Sequence, residues 1–400
     1  MQELNAQENW DAVVIGGGPA GLMAAQELSA AGFSVLVTDA KPSFARKFLM
    51  AGKSGLNLTK DEPTDLLLTQ YHEAYDWLAP MIGAFDAHAI TNWAEALGQQ
   101  MFTGSTGRVF PTVMKASPLL RAWLRRLSAQ GVEMRTLWRW TGWEGGKLCF
   151  DTPAGKVRIS GRATVLALGG ASWSRLGSDG AWGSLLQAEG VTCAPFAPSN
   201  VGIRVGWSDH MQAHFGAPIK GVAFHAGAHV SRGEAVISQN GIEGGGIYSL
   251  SRWIRDGESL RIDLMPDVSR AAGLKRLNRP RGKASLTNHL RKTLALGPVR
   301  LALLQEFGRP LPAVSADLID RIKSLPVPHQ GLAPMDQAIS TAGGIARDQV
   351  TDGLMLKVRA GVFCAGEMLD WDAPTGGYLL TACLATGRWA GQNAARWLTV

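Results

Sequence analysis

Cysteine is scarce, with four residues in 400, Cys149, Cys193, Cys364 and Cys383. They are too scattered for a disulfide framework, and no CxxC occurs, which excludes a zinc ribbon and a thioredoxin-type redox pair. The eight histidines show neither HxxxH nor HExxH spacing, so no metal site is expected. No apolar run reaches the ~18 residues of a membrane span, because glycine or charge interrupts each one. The first residues, MQELNAQENWD, are acidic and carry no apolar signal core, so a cytoplasmic protein without membrane contact is expected. Acidic residues are missing altogether between Val268 and Gln305, where nine Lys and Arg stand against a whole-chain net charge of +7. That stretch, 268–305, reads either as a solvated helical face or as a docking surface for an anionic partner such as RNA. Glycine is abundant instead. Its 48 residues exceed the usual ~7% and imply many tight turns and close backbone approaches to a ligand. With 46% hydrophobic and 18% charged residues the chain is globular, long enough for two or three domains.

The most informative stretch is Asp11 to Asp39. Ala12 to Ile15 is a short apolar run suited to a buried parallel strand, and Gly16, Gly18 and Gly21 form GxGxxG at its end. Leu22, Ala25 and Leu28 then recur at helical spacing, Gly32 stops the helix, and Ser34 to Thr38 reads as a second strand. This is a βαβ unit with the glycine turn in the right place. Gly16 permits the turn, Gly18 lets the backbone approach a pyrophosphate, and Gly21 lets helix and strand pack closely. The helix N-terminus offers unpaired N–H groups and partial positive charge to the anion. Asp39, 18 residues after Gly21, is placed to accept from ribose hydroxyls.

Two later segments complete the pattern. Ala163 to Gly170 reads as another buried strand ending in glycines, and Gly361 to Gly377 as a strand and glycine turn opening into a last helix from about Tyr378. A nucleotide motif at one end completed by a segment at the other means that the chain leaves the nucleotide domain and returns. Residues 1–192 and 343–400 are expected to form that domain, with 193–342 inserted. In the insert, Val201 to Val205, Val222 to Phe224 and Ala235 to Ser238 are strand candidates of a small antiparallel sheet or barrel, followed by helical segments that include the basic stretch and Asp317 to Lys323. The fold class is α/β. A Rossmann-like domain of the glutathione-reductase type carries an antiparallel, barrel-like and helical insertion. No second GxGxxG occurs, so a separate NADPH domain does not fit, and NAD(P)H would have to dock transiently.

These motifs, with Arg46-Lys47-Phe48-Leu49-Met50, Gly52 to Thr59, Gly107 to Pro111, Leu168 to Ser172, Gly177 to Gly180 and Ala365-Gly366-Glu367 through Gly376-Gly377-Tyr378, resemble the BaiN/YhiN-like NAD(P)/FAD-dependent oxidoreductases nearly end to end. The resemblance implies FAD as cofactor. Gly16, Gly18, Gly21 and Asp39, with Pro19, Ala20, Ala40 and Lys41 beside them, would hold the ADP half. Arg46, Lys47, Asn57 and Thr59 would line the pyrophosphate and flavin side, joined by Gly169, Gly170 and Asp179. Gly366 and Glu367 would meet the ribitol, and Gly376, Gly377 and Tyr378 would present a helix N-terminus to the flavin. It also implies hydride transfer between flavin N5 and a small organic substrate, by reduction of an activated C=C bond or oxidation of a small amine. Alternatives are reduction of uridine within RNA, or an RNA-binding regulatory protein with structural FAD.

Three departures set this chain apart from the family pattern. Leu56 stands where many members have cysteine, Ser174 where they have proline, and Ser238-Gln239-Asn240-Gly241-Ile242-Glu243-Gly244 replaces a histidine-bearing segment. Glu243 is therefore a candidate general acid or amine anchor, with a turn carboxylate as the alternative. Tyr378 is a second candidate, as proton donor or packing residue, and Lys53 a third, over the flavin or on a phosphate.

Overall fold

The computed structural model describes residues 9–53 and 55–400. The chain divides into two compact units, one running up to Ala197 and resuming at Ser340–Val400, the other spanning Pro198–Ile339.

The first unit is built on β1 (Asn9–Ile15), whose Ala12-Val13-Val14-Ile15 run is buried throughout. An apolar run without alternation suits a strand covered on both faces, which is the condition inside a parallel sheet. β1 pairs in parallel with β2 (Val35–Asp39) on one side and with Gly155–Leu166 on the other. Glu133–Thr136 extends the sheet beyond β2, and Val362–Cys364, close to the chain's end, pairs in parallel beyond Gly155–Leu166. The long strand serves two neighbours. Its first half continues an antiparallel meander, Arg139–Glu144 to Lys147–Thr152 to Gly155, and its second half is the central parallel strand.

Helix α1 (Pro19–Ala30) buries Leu22, Met23, Ala24, Ala25 and Leu28. The last helix, Tyr378–Thr399, packs on it at close range. A Cβ on Gly387 would lie 2.2 Å from the Ala20 carbonyl oxygen, and one on Gly391 2.7 Å from that of Ala24. Two glycines four residues apart thus let backbone meet backbone, and a larger side chain at either would force the helices apart. The two ends of the chain are joined here.

The second unit contains two four-stranded antiparallel sheets. One runs Ile203–Arg204, Gly241–Glu243, Ala235–Ser238, Pro218–Ile219, and the other His229–Ser231, Ala223–Ala226, Leu260–Asp263, Leu325–Pro326. Its core gathers Ile237, Ile242, Phe224 and Ile262 from the strands with Leu277, Leu290, Leu303 and Ile319 from the helices. The basic stretch folds into Arg270–Leu277 and Leu286–Leu294 and runs into Pro298–Phe307. Ser269 and Ser285 cap the first two by accepting from the Ala272 and Asn288 N–H groups.

Candidate functional site

The first unit holds an open-mouthed cleft with a cavity volume of about 160 Å³, floored by the turn between β1 and α1. Gly16 has φ of +109° there, and a Cβ on it would lie 2.1 Å from the Ala167 carbonyl oxygen. Gly21 is as tight, 1.9 Å from the Gly16 oxygen. Gly18 differs, because nothing in the chain lies within 4 Å of where its Cβ would stand. That glycine keeps space clear on the cleft side, where a pyrophosphate approaches the backbone. Gly18 is also the N-cap of α1, and no side chain caps the helix and no acidic residue occupies its first turn. The helix end is thus left to an exogenous anion.

Asp39 closes β2 beside this turn. Its carboxylate accepts from the Gly17 N–H at 3.1 Å and the Lys41 N–H at 2.8 Å. Burial nonetheless raises its pKa above the ordinary carboxylate range, since the two donors, Lys41 and Arg46 only partly offset the desolvation. Gly16, Gly18, Pro19, Ala20, Asp39, Ala40, Arg46, Lys47, Gly169, Asp179, Gly366 and Glu367 all line the cleft.

A polar network forms one wall. The Lys47 Nζ donates to Glu367 Oε2 and to Ser172 Oγ, both at 2.8 Å, while the Thr341 N–H donates to Glu367 Oε1 at 3.1 Å. Glu367 is thereby held in one orientation between a cation and a backbone donor, with one-ninth of its side chain accessible. Elsewhere on the wall Arg139 donates to Asp179 at 3.1 Å. The Arg46 Nε and Ser178 Oγ also belong to the cleft, and each is buried without a hydrogen-bond partner among the described residues. Unpaired buried donors are costly, roughly 1–3 kcal/mol each. A ligand rich in phosphate and ribitol oxygens supplies what they lack. The cradle at Gly18, the uncapped helix and these donors fit a dinucleotide.

Other candidates lie off the cleft lining. Gly21 and Gly170 pack against backbone or Thr341, and Lys41 against Gly177. Asn57 Oδ1 is buried and without a partner among the described residues. Thr59 shares a 2.7 Å hydrogen bond with Thr381, and Gly377 (φ +105°) approaches the Thr59 backbone so closely that a Cβ would lie 2.5 Å from it. Gly376 precedes it at φ +134°. The Tyr378 hydroxyl donates to Glu62 Oε1 at 2.8 Å and accepts from Lys60 Nζ at 2.9 Å, and Lys60 and Glu62 are themselves paired at 2.8 Å. Burial, with Glu62, pushes the phenol up to about 12 against the pull of Lys60. Burial works against the Lys60 ammonium, but Glu62 and Tyr378 outweigh it and raise its pKa. Lys53 is exposed. Glu243 is exposed on Gly241–Glu243 in the second unit, opposite Val236.

Sequence reasoning missed Trp138, Trp140, Arg139, Ser178, Trp182 and Cys383, all of which line the cleft. The tryptophans and Arg139 come from or next to the meander and from a short helix, which carry no motif. Cys383, one turn into the last helix, has no signal beyond its distance from Tyr378. Burial pushes its thiol up to about 12.

The family model described as "HI0933-like protein Rossmann domain" matches residues 10–393. A 3-dehydro-bile acid delta(4,6)-reductase of Clostridium scindens is 28% identical over 96% of this chain and 98% of its own length. A ribosomal RNA dihydrouridine synthase of Escherichia coli is 25% identical over 93% of this chain and 94% of its own. Among solved structures, a flavocytochrome c3 fumarate reductase superposes with a TM-score of 0.55 at 16% identity, over 99% of this chain and 80% of that one. The 3-ketosteroid-Δ4-(5α)-dehydrogenase of Rhodococcus jostii RHA1 does so with 0.52 at 16% identity, over 98% of both. These two likenesses speak for the fold. With the family matched almost from end to end and a dinucleotide cleft that fits the group, the chain belongs to the HI0933-like Rossmann family and is an FAD-dependent oxidoreductase.

Proposed function

We propose that this enzyme reduces a C=C bond conjugated to a carbonyl in an organic substrate, with NAD(P)H docking transiently to reduce the flavin. The observation that carries this reading is that the two relatives named above, each aligned over more than nine-tenths of the chain, are a bile acid delta(4,6)-reductase and a dihydrouridine synthase, names that imply hydrogenation of such a bond. Bound FAD supplies the hydride. The chain's part is to hold the cofactor and to manage charge and protons. Gly18 and the uncapped end of α1 would receive the pyrophosphate, and Asp39 would accept from the ribose. Lys47 fixes Glu367, whose carboxylate would bond the ribitol.

The helix Tyr378–Thr399, which brings Cys383 to the cleft, has no acidic residue in its first turn, so its N-terminus keeps the partial positive charge that favours an electron-rich group. Tyr378, buried off the cleft lining, remains protonated at physiological pH with its Oη held by Lys60 and Glu62, and is the proton reserve we assign to the reaction. Hydride addition to the β-carbon must be followed by protonation at the α-carbon, for which a neutral phenol is a suitable source.

The test is an anaerobic titration. NADH or NADPH should bleach the flavin, a cyclic enone should restore it, and the product should be two hydrogens heavier. A flavin that small amines reduce and enones leave reduced would assign the enzyme to amine oxidation instead.

A further inference from the structure

Seven cations of the basic stretch, Lys275, Arg276, Arg279, Arg281, Lys283, Arg291 and Lys292, have no carboxylate partner among the described residues, and all seven are exposed. Other cations of the unit are paired: Arg270 with Asp320, Arg232 with Asp267, Lys220 with Glu234 and Lys323 with Asp263. The unpaired ones are also gathered in space. Lys275 and Arg276 sit in the last turn of Arg270–Leu277, and the next three follow directly in the connection. The buried His289 Nε2 lies 2.9 Å from the Leu277 carbonyl oxygen, which fastens the middle of Leu286–Leu294 to the basic end of the preceding helix. Arg291 and Lys292 follow within one turn of that contact.

No acidic residue lies in this stretch, so the cluster repels itself until a polyanion arrives. None of the exposed large hydrophobic side chains falls within 268–305. A membrane-surface helix needs an apolar face to insert, and a protein interface needs buried aromatic or aliphatic anchors. This surface offers charge alone, which is the footprint of a phosphate backbone. The same unit has a cleft lined by Gln212, Gln239, Asn240, Gln330 and Gln337 with the Trp207 indole. Amides and an indole are groups that read and stack on nucleobases, and they have no comparable use on an acidic peptide.

We propose that the paired helices of the second unit are an RNA-docking surface, gripping the phosphate backbone through these seven cations. This rests on the reaction proposed above in one respect: a uracil base in that RNA supplies the conjugated C=C bond.

The experiment measures binding of a fluorescent uridine-containing RNA stem–loop to the FAD-loaded enzyme across a salt series. With all seven cations engaged, log K against log salt should fall with a slope of about −5 to −6. The variant carrying Arg279→Gln, Arg281→Gln, Lys283→Gln and Arg291→Gln should bind at least about 100-fold more weakly and lose about 3 units of that slope. Its FAD content and its reduction of a small enone should equal the wild type's. Salt-independent RNA binding, equal binding by the variant, or tighter binding of poly-glutamate or of phosphatidylserine vesicles than of RNA would overturn the docking surface. Wild type that reduces the enone but ignores RNA would defeat the docking and leave the reaction standing. Steep, variant-sensitive RNA binding without reduction of any C=C bond would do the reverse.

Discussion

The two units leave different things unsatisfied. In the first, Lys47 and Arg139 on the cleft wall are paired with Glu367 and Asp179, and what is unmet is buried: Arg46 Nε, Ser178 Oγ and the open end of α1. In the second, the seven cations of the basic stretch that lack a carboxylate among the described residues are exposed. A buried donor without a partner is paid for in stability, whereas an exposed cation stays hydrated at little cost. The first arrangement suits a resident group bound for the life of the protein, and the second a partner that comes and goes with ionic strength.

The largest effect that would sharpen this contrast is expected at Gly16. Gly16→Val places a branched side chain at positive φ and against the Ala167 backbone, so the sheet and the turn cannot both persist. The variant should purify without flavin and with a lowered unfolding temperature, readable from absorbance and thermal unfolding. Gly18→Val separates binding from folding. Its Cβ meets nothing in the chain, so the apoprotein should unfold at the wild-type temperature while FAD affinity falls by about 100-fold, ~2.8 kcal/mol. Equal loss of stability at both positions would break the comparison.

Glu367→Gln should cost less, about tenfold in FAD affinity, because Lys47 keeps Ser172 and partial solvent access. Asp39 gives a pH signature. Its raised pKa means that protonation begins above the usual carboxylate range, so FAD affinity should weaken as pH falls through that value. Asp39→Asn should bind more weakly and show no such fall. The smallest effect is at the thiols. Burial raises the pKa of both Cys364 and Cys383, so iodoacetamide should label half-buried Cys149 first in the native holoenzyme, as peptide mapping would show.

The sequence was most legible where backbone geometry dictates residue type. Only glycine fits Gly16 and Gly21, so the turn could be read directly, and β1 and β2 followed from apolar runs that observed strands Asn9–Ile15 and Val35–Asp39 contain almost unchanged. The last helix begins at Tyr378, where its glycine turn placed it. The meander of Arg139–Glu144 and Lys147–Thr152 was not legible, since short antiparallel strands with alternating burial carry no motif, and with it Trp138 and Trp140 were lost from the site. Nor could spacing reveal that Tyr378 meets Lys60 and Glu62 more than 300 residues away, because such contacts depend on the chain's return to the first unit. The run of cations was visible as composition, but which of them lack partners was decided by folding, which took Arg270 to Asp320 and Arg300 to the Leu264 and Ala295 carbonyls.

The most direct test of the cleft as a resident flavin site is the visible spectrum of the gel-filtered protein, with the released cofactor quantified against the polypeptide. One FAD per chain is the predicted result. A colourless protein that takes up no FAD on reconstitution would contradict it.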